Sequence, residues 1–87
     1  MTTGCRVHDT DALKPGEYGK HPRNGEWYCC TPNGYAGCLR EHNVIEHDDG
    51  TITVSPSILV TERDTERKQD VELWHGFLER GVWRQCQ

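Results

Sequence analysis

Asp48-Asp49-Gly50 stands between two short runs of β-formers, Asn43-Val44-Ile45-Glu46-His47 and Thr51-Ile52-Thr53-Val54. No other feature limits the folds open to this chain as strongly. Asp-Gly between such runs marks an antiparallel hairpin, because both residues accept the left-handed backbone of a tight hairpin turn. The alternation from Thr51 to Val54 orients the second strand, with Ile52 and Val54 facing a core and Thr51 and Thr53 facing away. A lone hairpin is marginal in water, so further strands must cover its apolar face.

The flanking sequence supplies them. Trp27-Tyr28-Cys29 reads as a strand, since aromatic residues suit a pleated, half-buried surface, and Thr31-Pro32-Asn33-Gly34 stops it. Asn33 is a plausible N-cap, and Tyr35, Cys38 and Leu39 have the spacing of one helical face, so a short helix is predicted over Tyr35 to His42. Beyond the hairpin, Ser55-Pro56-Ser57 interrupts the ladder, because proline has no N–H to donate. Ile58-Leu59-Val60 then resumes as a buried strand. Thr61 to Asp70 is highly charged and reads as a long loop, with a short exposed helix as the alternative. Val71 to Leu78 and Val82 to Cys86 form a second hairpin around Glu79-Arg80-Gly81, where Gly81 supplies a positive φ. Residues 1 to 25 carry the turn signals Lys14-Pro15-Gly16 and Arg23-Asn24-Gly25, and little that drives burial beyond Val7, Leu13 and Tyr18. The reading is an α+β, mainly β domain: about five or six antiparallel strands in two hairpins, one short helix, an irregular arm over 1–25 and the β-rich domain over 26–87.

With 87 residues the chain suits one domain with a modest core. A formal charge of −4 gives no long-range attraction for nucleic acid. The cluster Arg63, Arg67 and Lys68 is interleaved with Glu62, Asp64, Glu66 and Asp70, the pattern of a solvated segment. No apolar run approaches the roughly 20 residues that span a bilayer, and residues 1 to 11 lack the apolar stretch of a signal peptide. The expected location is therefore the cytoplasm of the host cell, where the five cysteines stay reduced. Cys29 and Cys30, adjacent on a strand, point to opposite faces, so at most one faces the core.

The segments Gly50-Thr51-Ile52-Thr53-Val54-Ser55-Pro56-Ser57-Ile58, Trp74-His75-Gly76-Phe77-Leu78 and Gly81-Val82-Trp83, with Thr31-Pro32-Asn33-Gly34, resemble a family of short bacteriophage and prophage proteins without an assigned activity. Longer relatives are sometimes labelled ammonia monooxygenase, a label these residues do not support. The resemblance spans roughly Gly25 to Cys86 and implies a phage origin and a compact β-rich fold. In longer relatives a Cys-x-x-Cys pair and a nearby histidine suggest zinc. Here Cys38 and His42 resemble the second half of that pattern, and the first cysteine falls at Tyr35 unless Cys30 replaces it. Trp74 precedes His75 where those relatives carry cysteine.

Two constellations carry chemistry. Cys38 and His42, four apart, would stack on one helical face, and with Cys30 and His75 (or Cys86) they make a candidate zinc site. Ser55, Ser57, Trp74 and His75 make a candidate ligand site: a proline-broken strand frees hydroxyls, Trp74 offers a stacking face and Gly76 allows close approach. Against these stand plain structural roles, buried cysteines in the first case and a serine-capped bulge over packed aromatics in the second. No nucleophile motif, phosphate loop or carboxylate pair is present. The expected function is a non-enzymatic phage accessory protein, a binding module for a host protein or a small signalling molecule. Trp27, Trp74 or Trp83 would be its anchors, and the modest core favours a homodimer. The alternatives are a zinc-stabilised structural module and an anti-defence protein that sequesters a nucleotide signal.

Overall fold

The structure, a computed structural model, describes residues 1–86, so Gln87, the last residue of the expected 26–87 domain, lies outside it. Nine strands follow in order: β1 Thr2–Thr3, β2 Cys5–Arg6, β3 Glu17–Lys20, β4 Trp27–Cys30, β5 Ala36–Cys38, β6 Asn43–Glu46, β7 Ile52–Asp64, β8 Gln69–Glu79 and β9 Val82–Gln85. They form a five-stranded sheet, β1-β9-β8-β7-β6, and a four-stranded sheet, β2-β3-β4-β5. All pairs are antiparallel except β2 with β3. The fold is mainly β, with no helix among the described residues, and thus no helix long and apolar enough to cross a membrane.

The two sheets share one core. Tyr18 and Cys29 from the smaller sheet meet Ile52, Val54, Ile58, Trp74, Leu78 and Trp83 from the larger, with Leu39 closing the cluster. Trp74 and Trp83 pack edge to face, centroids 5.5 Å apart, a favoured geometry for two ring quadrupoles. The Trp83 indole N–H donates to the Gly16 carbonyl at 3.0 Å, so the buried ring leaves no polar atom unpaired. At Gly4 the chain crosses from one sheet to the other, where a Cβ would lie 2.9 Å from both the Gly81 carbonyl oxygen and Trp83 Nε1. Only glycine fits there without moving backbone.

Both predicted hairpins form. Val44 pairs with Val54 and Ile45 with Thr53 around the Asp48-Asp49-Gly50 turn. Glu79 pairs with Val82 across Arg80 and Gly81, whose φ values of 46° and 76° are the double left-handed geometry of a tight hairpin turn. The predicted helix over Tyr35 to His42 does not form. Thr31-Pro32-Asn33-Gly34 turns the chain straight back: Gly34 adopts φ 97°, the Thr31 amide donates to the Tyr35 carbonyl, and β5 pairs along β4. The charged stretch from Thr61 to Asp70 is not a long loop either. The β7–β8 ladder runs out to Asp64 opposite Gln69, closed by a turn at 65–68. The N-terminal arm contains β1, β2 and β3, recruited by β9, β4 and each other.

The outer ribbon shapes the molecule. Its principal extents are 45 × 29 × 21 Å and its radius of gyration is 13.1 Å, against about 12 Å for a compact chain of this length.

Candidate functional site

Two irregularities of register place the functional side chains. Between Val54–Leu78 and Ile58–Gly76, β7 takes two more residues than β8. Ser55, Pro56 and Ser57 form this bulge, across a cis Ser55–Pro56 bond. Proline at this point is compatible with a strand because the ladder is already interrupted. Between Val60–Trp74 and Thr61–Glu72, the extra residue is Leu73 on β8. Glu72 and His75 are three apart, so a regular strand would put them on opposite faces. The Leu73 bulge puts both on the outer face of the larger sheet. The Asn33 side-chain amide donates to the Leu73 carbonyl at 3.2 Å. The residue read as a helix cap thus supports a bulge on the other sheet.

Ser57 is the centre of the resulting cluster. Its Oγ lies 2.8 Å from His75 Nε2, and its carbonyl accepts a hydrogen bond from His42 Nε2 at 3.2 Å. His75 Nδ1 faces Glu72 Oε1 at 3.8 Å. A carbonyl only accepts, so His42 carries its proton on Nε2. Its Nδ1 is then an acceptor, buried and without a protein partner among the described residues. Ser57 is half-buried, as are the rings of His42 and His75. An open depression of about 250 Å³ lies next to the bulge, lined by Thr53, Val54, Ser55, Pro56, Phe77 and Glu79 but not by Ser57, His42 or His75 themselves.

The predicted ligand set divides. Ser57 and His75 meet, and Ser55 lies exposed on the rim of the depression. Trp74 is on the opposite face, 2% exposed in the core, and offers no stacking surface. Gly76 does permit a close approach, but an internal one. A Cβ there would lie 2.2 Å from the Arg84 carbonyl oxygen and 2.6 Å from the Trp74 ring. Trp83 is likewise buried, and Trp27 is half-buried beneath Arg6, whose guanidinium sits 5.0 Å from the ring centroid. The tryptophans are therefore not exposed anchors.

The four residues read as zinc ligands fall in two places. Cys30 and Cys38 flank Tyr28 on one face of the smaller sheet, where β4 and β5 pair. His42 and His75 lie at Ser57 on the larger. Cys30 is buried, and burial pushes its thiol up from its ordinary value. Burial pushes the neighbouring Cys29 thiol up to about 12. A metal needs the thiolate. Cys38 is exposed, and its thiol lies 3.5 Å from Glu26 Oε2. The described residues contain no group of three or more His, Cys, Asp or Glu side chains placed to hold a metal ion. All five cysteines are free.

The outer face of the larger sheet also carries apolar surface. Ile45 and Leu59 are 56% and 54% exposed, and register places them on the same face as Phe77. A second open depression, of about 430 Å³, lies between Ile45, His47, Thr53, Glu79 and Arg80. Sequence reasoning missed Glu72, His42's bond to Ser57 and this apolar face. Ile45 and Leu59 alternate with inward residues, which is the one signal that bears on them.

Comparison with protein-family models, curated proteins and solved structures finds no match for this chain.

Proposed function

We propose that this chain is a non-enzymatic binding module, a phage-type accessory protein that docks a host protein on the outer face of its larger sheet. The observation that carries the reading is the exposure of Ile45 and Leu59, each more than half open to solvent, on the face shared with Phe77. The opposite face of the same sheet is covered by the smaller sheet. Exposed apolar side chains on one sheet face, interspersed with Thr53, Glu79, Arg80 and Arg84, have the make-up of a protein-contact surface. The phage setting rests on the resemblance of the Ser-Pro-Ser-Ile and His-Gly-Phe-Leu segments.

A host protein fits this surface better than a small signalling molecule. Small ligands favour walled pockets that bury most of their area, and the depressions on this face are open. The test is affinity capture from host lysate with the parent chain and with Ile45→Arg plus Leu59→Arg. Both positions are exposed, so the double variant should melt within a few degrees of the parent. The expected result is a stoichiometric partner retained by the parent and lost by the variant. Equal capture by both would sink the reading, and a small-molecule mass on the parent in native mass spectrometry would redirect it.

A further inference from the structure

The geometry points to Ser57 as an activated nucleophile that takes up an acyl group from a small ester or thioester, with His75 as its base. This inference does not rest on the docking surface: its reacting groups are Ser57 and His75, and of the apolar residues of that surface it shares only Phe77.

The arrangement has the direction a nucleophile needs. Glu72 Oε1, 3.8 Å from His75 Nδ1, is beyond hydrogen-bond reach, and its negative charge favours the tautomer with the proton on Nδ1. Nε2 is then the acceptor, and the Ser57 hydroxyl donates to it across 2.8 Å. A serine hydroxyl is a weak nucleophile alone and becomes effective when a base within hydrogen-bond reach removes its proton during attack. Glu72, at 3.8 Å and largely exposed, is a positioning residue that acts through its charge, favouring the imidazolium as it forms. The His42 bond to the Ser57 carbonyl holds the backbone that presents the hydroxyl. The adjoining depression, with Val54, Pro56 and Phe77 in its wall, suits a short aliphatic acyl chain.

In the step itself the Ser57 Oγ–acyl carbon bond forms and the bond from that carbon to the leaving oxygen or sulfur breaks. The Ser57 proton passes to His75 Nε2 and then to the leaving group. No oxidant, reductant or metal is required. The cluster supplies a nucleophile and a base, so the expected reaction is stoichiometric acylation at Ser57 rather than rapid turnover.

A fluorophosphonate tests this on the intact chain at neutral pH, since it forms an Oγ–P bond at an activated serine and releases fluoride. The expected result is one adduct per chain, located by peptide mass spectrometry at Ser57. Ser55 is an internal control in the same peptide: it is exposed, yet no side-chain hydrogen bond to a histidine is formed by it among the described residues. Ser57→Ala should abolish the adduct. His75→Ala should slow labelling about 100-fold or more, the range for loss of a general base. Glu72→Gln should lower the saturating labelling rate while leaving the half-saturating probe concentration unchanged, a split that a loss of fold would not produce. Absence of an adduct on the parent chain overturns the inference, and so does labelling of Ser55 at the rate of Ser57. Both outcomes are read without any variant having to fold. A labelling rate unchanged in folded His75→Ala overturns it as well.

Discussion

The β7–β8 ribbon is one continuous pairing with two unlike halves. In the half from Ile52 to Ile58 and from Trp74 to Leu78, the side chains of Ile52, Val54, Ile58, Trp74 and Leu78 are buried at 5% exposure or less. From Thr61 to Asp64 and from Gln69 to Glu72 almost every side chain is exposed on both faces. Backbone pairing does not account for this: the exposed half pairs residue for residue, whereas the buried half is the one interrupted by the Ser55–Ser57 bulge. The difference is the smaller sheet, which covers the base and stops short of the tip. Hydrogen bonds define the ribbon's shape, and burial supplies its stability, since a net hydrogen bond adds only about 1 kcal/mol and an uncovered two-stranded ribbon is marginal.

Substitution at the base should give the largest effect. Trp83→Ala removes a buried ring and its bond to Gly16, and should cost about 3–5 kcal/mol. That is a large part of the stability of a small domain, and thermal or urea melting reads it. Replacing the tip with a short turn that joins Thr61 directly to Glu72 should change stability by about 1 kcal/mol or less. A loss comparable to that of Trp83→Ala would show that the tip is held by something beyond its own pairing. Acid should act with smaller effect, and near the base. Hydrogen bonds from Thr51 hold the Asp49 carboxyl below its ordinary value, and the bond from Arg40 does the same for Glu26. Their contribution is complete above the ordinary carboxylate range and is lost as pH falls through the depressed values. Asp49→Asn should therefore flatten the acid limb of a stability–pH curve, modestly and in a salt-sensitive way because the carboxylate is exposed. Arg63→Ala breaks an exposed pair with Asp70 at the tip and should shift stability least, by roughly 0–1 kcal/mol.

Thiol labelling sharpens the same contrast without mutation. Cys5 and Cys38 are exposed and should react with a disulfide reagent at once. Cys29 lies in the core beneath the base with its thiol at about 12, so it should react only as fast as the core opens. Prompt reaction of Cys29 would mean that the base is not the rigid half.

What could be read in advance follows from how local each signal was. Asp48-Asp49-Gly50 and Arg80-Gly81 carry their own turn chemistry, so both hairpins were legible. The strand over Ala36–Cys38 was not, because its three residues are held by β4 and their spacing equally fits a helix. The ribbon tip was hidden for the opposite reason: with no buried face it has no alternation to detect. At the site, Ser57 and His75, two of the four residues read as a ligand set, do come together, because each lies next to an interruption of regular strand sequence. Trp74 is turned inward because parity across two bulges decides its face, and the Leu73 bulge is bonded by Asn33, forty residues away.

The pairing of β1 with β9, Thr2 opposite Trp83, has a consequence for how the protein is made. During translation the first strand emerges with its partner still unsynthesised. At about 5–20 residues per second, roughly 4–16 s pass before Trp83 is added. Through that interval the core built around Tyr18 lacks Trp83, the ring that packs edge to face on Trp74. The nascent chain therefore holds an open apolar seam until β9 leaves the ribosome, and a chaperone that binds extended apolar segments would have its best access during that wait.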